Sequence, residues 1–101
     1  MKVFAWLLAL SAWAVVGVQR HDEEAPIATS AELRAWCKAE TEAYYVARGI
    51  TPYNWSASGW EEGGTLFVRG GWLIGRDRVG VECRVAKGAK RKYAVYEIPN
   101  E

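Results

Sequence analysis

Residues 79–85 read VGVECRV, and in this stretch apolar side chains alternate with glycine or charged ones. Alternation with a period of two is typical of a β-strand that buries one face, and it places Cys83 on the buried face. A second alternating set spans residues 66–74, and residues 93–98 are predicted to form the last strand. Because the segments between these strands are short and rich in glycine and charge, we predict a three-stranded antiparallel meander.

A helix is predicted ahead of the strands. Residues 29–32 read TSAE, a capping box in which the first hydroxyl and the last carboxylate each bond to a backbone N–H. Apolar residues then recur at spacings of three and four until Gly49, a typical C-terminal cap, so we expect a helix over 30–48. Residues 50–64 contain proline and glycine without a regular period and are predicted to form a loop.

The two cysteines relate the helix to the strands. Cys37 lies on the apolar face of the predicted helix, and Cys83 lies on the apolar face of the middle strand. A disulfide needs Cα atoms within about 7 Å, so the helix must lie across the sheet. We therefore predict an α+β domain over 29–99, with one N-terminal helix packed across a three-stranded antiparallel β-meander and stapled by one disulfide.

This layout resembles that of some small exported bacterial proteins, among them outer-membrane assembly lipoproteins and secreted β-lactamase inhibitors. The resemblance concerns the order of the elements, and none of the sequence signatures of those proteins is present. A shared layout implies no shared function.

The N-terminus has the pattern of a secretory signal peptide. One lysine is followed by an apolar or small run over residues 3–18, with Ala12 and Ala14 at a suitable peptidase site. We expect a signal peptide over 1–18, cleaved near 14–19, followed by a flexible lead-in over 19–28. The alternative is a retained membrane anchor, although sixteen residues are fewer than the roughly 20 that span a bilayer. Export to a periplasm or the medium, in a bacterium, fits the cysteine pair.

Residues suited to catalysis are scarce. The single histidine, His21, falls in the predicted lead-in, where no fixed geometry would hold it. The cysteines form no CxxC pattern and no cluster with histidine, which argues against a zinc site. We expect no enzyme activity, no metal and no cofactor.

Two segments are candidate binding surfaces. The first is an aromatic cluster in the predicted loop, which either contacts a partner or closes the small core as a lid. The second is a basic hairpin tip, which either contacts anionic headgroups or is a solvated turn. The aromatic candidates are Tyr53, Trp55 and Trp60, and the basic candidates are Lys87, Lys90, Arg91 and Lys92.

These observations favour binding over catalysis. We expect a small, exported, monomeric, non-catalytic binding domain that recognises a protein partner in the cell envelope or extracellular space. One alternative is a structural envelope protein without a dedicated ligand. Another is a binder of anionic lipid or lipopolysaccharide through the 87–92 hairpin. No nucleic-acid partner is expected, and a membrane is expected only if the N-terminal segment is retained.

Overall fold

The computed structural model describes residues 23–99, so the predicted signal peptide and His21 lie outside the described part. The α+β architecture is confirmed, and its sheet has four antiparallel strands in the order β1-β2-β3-β4. One helix covers one face of the sheet, and a short 3-10 turn precedes the last strand. The elements are α1 (Ser30–Val46), β1 (Tyr53–Glu62), β2 (Thr65–Ile74), β3 (Asp77–Ala86), the 3-10 turn (Arg91–Tyr93) and β4 (Val95–Glu97).

The capping box predicted for α1 is present. The backbone N–H of Glu32 donates to the Thr29 hydroxyl at 3.1 Å, and the Glu32 carboxylate accepts from the N–H groups of Ala28 and Thr29. These bonds lower the pKa of Glu32 because they favour its charged form, and the bond from Ala28 has the largest effect. The buried side chains recur at every fourth residue, so a narrow stripe of α1 contacts the sheet; they are Leu33, Cys37, Thr41 and Tyr45.

The prediction of a loop over 50–64 is wrong, because most of this segment forms the ten-residue strand β1. Gly63 and Gly64 both have positive φ, at 54° and 79°, which is the geometry of a two-residue hairpin turn. This turn sets Glu62 opposite Thr65 and aligns β1 along β2. The β1 residues between the aromatic ones are mostly serine, alanine and glycine, which have weak strand preference and hide the period from sequence analysis.

The predicted disulfide joins α1 to β3. Cys37 and Cys83 are bonded with their Cα atoms 6.1 Å apart, and both side chains are buried. Next to the bridge, Trp72 Nε1 donates to Thr41 Oγ1 at 2.8 Å, and that hydroxyl donates to the Cys37 carbonyl at 2.7 Å. The buried indole N–H therefore has a partner inside the core, and the helix is fixed to β2 as well as to β3.

The lead-in predicted to be flexible over 19–28 is packed where the structure describes it. Ile27 is 0% exposed, and its backbone exchanges hydrogen bonds with Ala89 at 2.9 Å and Gly88 at 2.7 Å. The N–H of Arg91 donates to the Ala25 carbonyl at 2.9 Å. A single buried isoleucine and main-chain bonding to the hairpin hold this segment, and neither has a periodic sequence signal.

Candidate binding surfaces

The three aromatic candidates of β1 have different roles. Trp55 faces α1, and its ring centroid lies 4.9 Å from that of Trp72. The indole covers Gly70, where a Cβ would lie only 2.9 Å from Trp55 Cη2. Trp55 is half-buried and packs against the hydrophobic core. For this residue the structure supports the lid alternative.

Trp60 lies on the opposite, open face of the sheet. Its ring stacks on Phe67 with the centroids 5.5 Å apart and the planes 15° apart, and the residue is 37% exposed. Its Nε1 donates to the Glu62 carboxylate at 3.2 Å, and the Arg69 guanidinium lies 5.9 Å from the ring centroid. Trp60 is therefore held in one orientation while a third of its surface remains available for contact.

Tyr53 is exposed at the other end of β1. It is 45% exposed, and its hydroxyl donates to the Gly75 carbonyl in the turn between β2 and β3. A register shift between Tyr53 and Ser56 separates it from the regular part of the strand. Tyr53 thus fixes the strand end, and the structure does not bring it together with Trp60.

The rest of the open face is a ladder of opposite charges. Arg69 pairs with Glu82 at 3.4 Å, and Arg84 pairs with Glu97 at 2.7 Å. All four side chains are largely exposed, so each pair contributes roughly 0–1 kcal/mol and is screened by salt. This part of the face is electrically balanced, and the apolar Trp60–Phe67 stack lies beside it.

The basic hairpin is largely occupied by acidic partners. Lys87 pairs with Glu61 at 3.3 Å, while Lys90 and Lys92 both pair with Glu24 at 2.9 Å. Arg91 interacts electrostatically with Glu32 and donates its backbone N–H to the lead-in. The positive charges of the hairpin hold the N-terminal lead-in and the β1 end, so they are less available to an anionic ligand.

Glu24 should make the docking of the lead-in sensitive to acid. Hydrogen bonds from Lys90 and then Lys92 lower the pKa of Glu24 from 4.5 to about 2. A lowered pKa in the folded state means that Glu24 stabilises the fold above pH 4.5 and that this contribution is lost as the pH falls toward 2. We expect Glu24→Gln to have a lower melting temperature than the parent protein at pH 7, with the difference vanishing near pH 2.

Melting curves of the two proteins across this pH range, at low and at high salt, test the prediction. The difference at pH 7 should shrink in high salt, because the pair is exposed. A Glu42→Gln change on the exposed side of α1 removes the same charge away from the lead-in and is the control; it should leave the melting temperature at pH 7 nearly unchanged. Equal melting temperatures of parent and Glu24→Gln at pH 7 and low salt would contradict the role given to Glu24.

A groove of about 650 Å³ lies between α1 and the β4 region. Trp36 and Tyr96 form part of its wall, with their ring centroids 6.2 Å apart, and Ala39 lies beside them. Both Glu40 and Lys92 line it, so its charges favour neither an anion nor a cation. The groove gives no chemical class of ligand.

The free edge of β1 is the longest unpaired feature of the sheet. The two-residue turn closes on a hydrogen-bonded pair, so alternate residues from Glu62 backwards bond to β2. The N–H and C=O groups of Ala57, Gly59 and Glu61 then point away from β2. Within residues 23–99 no strand pairs with this edge. Together with Trp60 and Phe67, we call this edge the β1 margin.

Residues 23–99 contain no group of three or more histidine, cysteine or acidic side chains that could hold a metal ion. This part of the chain also has no helix of the length and apolar character that crossing a membrane requires. Comparison of the chain with protein-family models, with curated proteins and with solved structures gives no match.

Sequence analysis missed several residues of this surface. Phe67 alternates with the buried side chains of β2, so its place on the open face was readable from the period of two. Ser56 and Ser58 were hidden in the predicted loop, and only the glycine pair after them signalled a hairpin.

Proposed function

We propose that this protein is an exported, non-catalytic domain that binds a protein partner at the β1 margin. The observation that carries the proposal is a ten-residue edge strand with unpaired backbone groups beside a partly exposed aromatic stack. An extended partner segment that adds to such an edge gains main-chain hydrogen bonds, while neighbouring side chains select its sequence. Trp60 supplies the aromatic anchor that protein interfaces favour.

From Ser56 onward the edge lacks the features that usually prevent strand pairing, because its bulge is confined to the start of β1, between Tyr53 and Ser56. Residues 53–62 contain no lysine, arginine or proline, the residues with which natural proteins block exposed edges. The acidic side chains are confined to its end, at Glu61 and Glu62. The stretch from Ser56 to Gly59 is small and uncharged, so a partner strand can approach it closely.

Location is part of the same proposal. The disulfide and the absence of a membrane-crossing helix within residues 23–99 are compatible with export, and the N-terminal sequence pattern supports it. We place the protein in a bacterial periplasm or in the secreted fraction. The lipid-binding alternative is less favoured, because the hairpin lysines already pair with Glu24 and Glu61.

Capture from the native extract with matched variants tests the function. We expect tagged protein to retain a partner that is lost with Ser58→Lys, which blocks the edge, and with Trp60→Ala, which removes the anchor. Ala43→Lys adds the same charge on the exposed side of α1, and Tyr93→Ala removes an aromatic side chain that is 64% exposed elsewhere. Both controls should retain the partner. Capture that is equal in all five proteins, or absent from all, would favour a structural protein without a ligand at this margin.

A further inference from the structure

We propose that the occupant of the β1 margin is a second copy of this chain, paired through β1 in an antiparallel, two-fold arrangement about Ser58. The inference rests on the proposed function, since it names the partner of the same edge. The pairing would join two four-stranded sheets into one continuous sheet. Both copies use the same surface, as a two-fold interface requires.

The backbone limits the possible registers. The backbone N–H and C=O groups of Ala57, Gly59 and Glu61 point away from β2. Hydrogen-bonded pairs across the interface must therefore form among these positions. Centring the pair on Ser58 sets Ala57 opposite Gly59 of the second copy. This register also overlaps residues 54–62 of both strands, which is nearly the whole length of β1. Centring on Gly59 overlaps only residues 56–62. Centring on Ala57 overlaps residues 53–61, an equal length, but it uses more of the irregular segment between Tyr53 and Ser56 and leaves Glu62 out.

The side chains on the open face are complementary in this register. Gly71 has no side chain, and Arg78 Nε lies 3.8 Å from where its Cβ would be. Arg78 thus crosses the sheet above β2 and donates to the Ser56 hydroxyl at the β1 margin. In the Ser58-centred pair, Trp60 of the second copy lies opposite Ser56 and therefore meets this guanidinium.

Charge adds to the fit. The Glu62 carboxylate accepts a hydrogen bond from Trp60 Nε1 at 3.2 Å, so it lies beside the indole where the indole contacts the second copy. There it approaches Arg78, and the same contact forms twice because of the two-fold symmetry. A cation above an aromatic ring is attracted to the negative face of the ring, and the acid beside it adds attraction. A parallel arrangement would instead set Glu61 and Glu62 of the two copies against each other.

Cysteine cross-linking distinguishes this register from other contacts. In the proposed pair the two Ser58 Cα atoms lie about 4.5 Å apart, within disulfide range, whereas the two Ser56 Cα atoms are separated by about 13 Å along the strands. We expect Ser58→Cys protein to form a covalent dimer under mild oxidation and Ser56→Cys protein, the matched control, to remain monomeric. Equal cross-linking of both variants, or of neither, overturns the proposal.

Sedimentation of the purified protein over a concentration series gives the second measurement. The parent protein should show a monomer–dimer equilibrium that Ser58→Lys abolishes and Arg78→Ala weakens at least several-fold, while Ala43→Lys leaves it unchanged. A parent protein that stays monomeric at all concentrations overturns the second copy as occupant. If that monomer still loses a captured partner with Ser58→Lys, the proposed function stands. If capture is also indifferent to that change, both proposals fail.

Discussion

Replacing Trp55 with alanine should lower the free energy of unfolding by about 2–4 kcal/mol, whereas Trp60→Ala should cost about 1 kcal/mol or less. Trp55 packs against Trp72 beneath α1 and covers Gly70, so its removal leaves a cavity in the core. Trp60 loses a stacking contact with Phe67 on a face that water already reaches. The two tryptophans, five positions apart, should therefore separate a packing role from a binding role.

Denaturant unfolding of the two variants beside the parent protein measures the difference. Trp55→Phe is the matched control and should recover part of the loss, because a smaller ring still fills some of the space above Gly70. Capture of a partner, or dimer formation, should survive at low temperature in Trp55→Ala and disappear in Trp60→Ala. A large loss of stability in both alanine variants would mean that Trp60 also completes the core, and it would dismiss the β1 margin as a binding surface.

The central part of the fold was predictable because its local signals agree with each other. The capping box fixes the start of α1, and the alternation over residues 79–85 fixes one face of β3. Cys37 and Cys83 then restrict how these two elements can pack, since a bridge tolerates a narrow range of separation. The helical period, the strand period and the geometry of the disulfide all indicate the same arrangement, so tertiary contacts do not change the structure that the local sequence predicts.

The exact helix face was harder to predict. Counting in steps of three and four along the sequence also places Trp36, Glu40 and Ala47 on the predicted buried face. The buried stripe instead follows every fourth residue through Thr41 and Tyr45. Thr41 is polar and so gives no hydrophobic signal, yet it is 0% exposed because Trp72 donates to its hydroxyl. A hydrogen bond to a residue 31 positions away cannot be inferred from local periodicity.

The separation of Tyr53 from Trp55 depends on a feature without a sequence signal, whereas Trp55 and Trp60 lie on opposite faces by regular alternation. Asn54 has a positive φ of 55°, and the register with β2 shifts between Tyr53 and Ser56. A bulge of one residue reverses the face on which the following side chains lie. Tyr53 therefore points to the open face while Trp55 points to the core, although strict alternation would have put both on one face.

Charge placement gave a partial guide. Residues 20–64 hold eight acidic and four basic side chains, and residues 65–101 hold eight basic and four acidic ones. This imbalance predicts contacts between these two halves of the chain after residue 19 but no specific pairs. Three of the ion pairs join the halves, each through a lysine of the hairpin: Lys87 with Glu61, and Lys90 and Lys92 with Glu24. Which side chains meet depends on Ile27 inserting into the core and pulling the lead-in against the hairpin.

Loss of the disulfide is the second change that we expect to lower the stability of the fold strongly. Cys83→Ser should lower the free energy of unfolding by roughly 2–5 kcal/mol, because the bridge closes a loop of 46 positions and so restricts the unfolded chain. The chain-entropy estimate for a loop of that length is about 4 kcal/mol, a large share of the roughly 5–15 kcal/mol typical of a whole domain. The variant should also expose Cys37 to alkylation, which intact mass measurement detects.

The comparison that isolates the bridge uses the double variant Cys37→Ala/Cys83→Ala and the reduced parent protein, which should unfold at nearly the same denaturant concentration. In the oxidised parent, alkylation of the folded protein should add no mass. Two alkylatable thiols in native, air-exposed protein would contradict both the bridge and the oxidising compartment inferred from it. The bridge ties α1 to β3 while Trp72 and Thr41 tie α1 to β2, so a reduced protein that keeps its fold would show that this buried hydrogen bond and the packing around it suffice to hold the helix on the sheet.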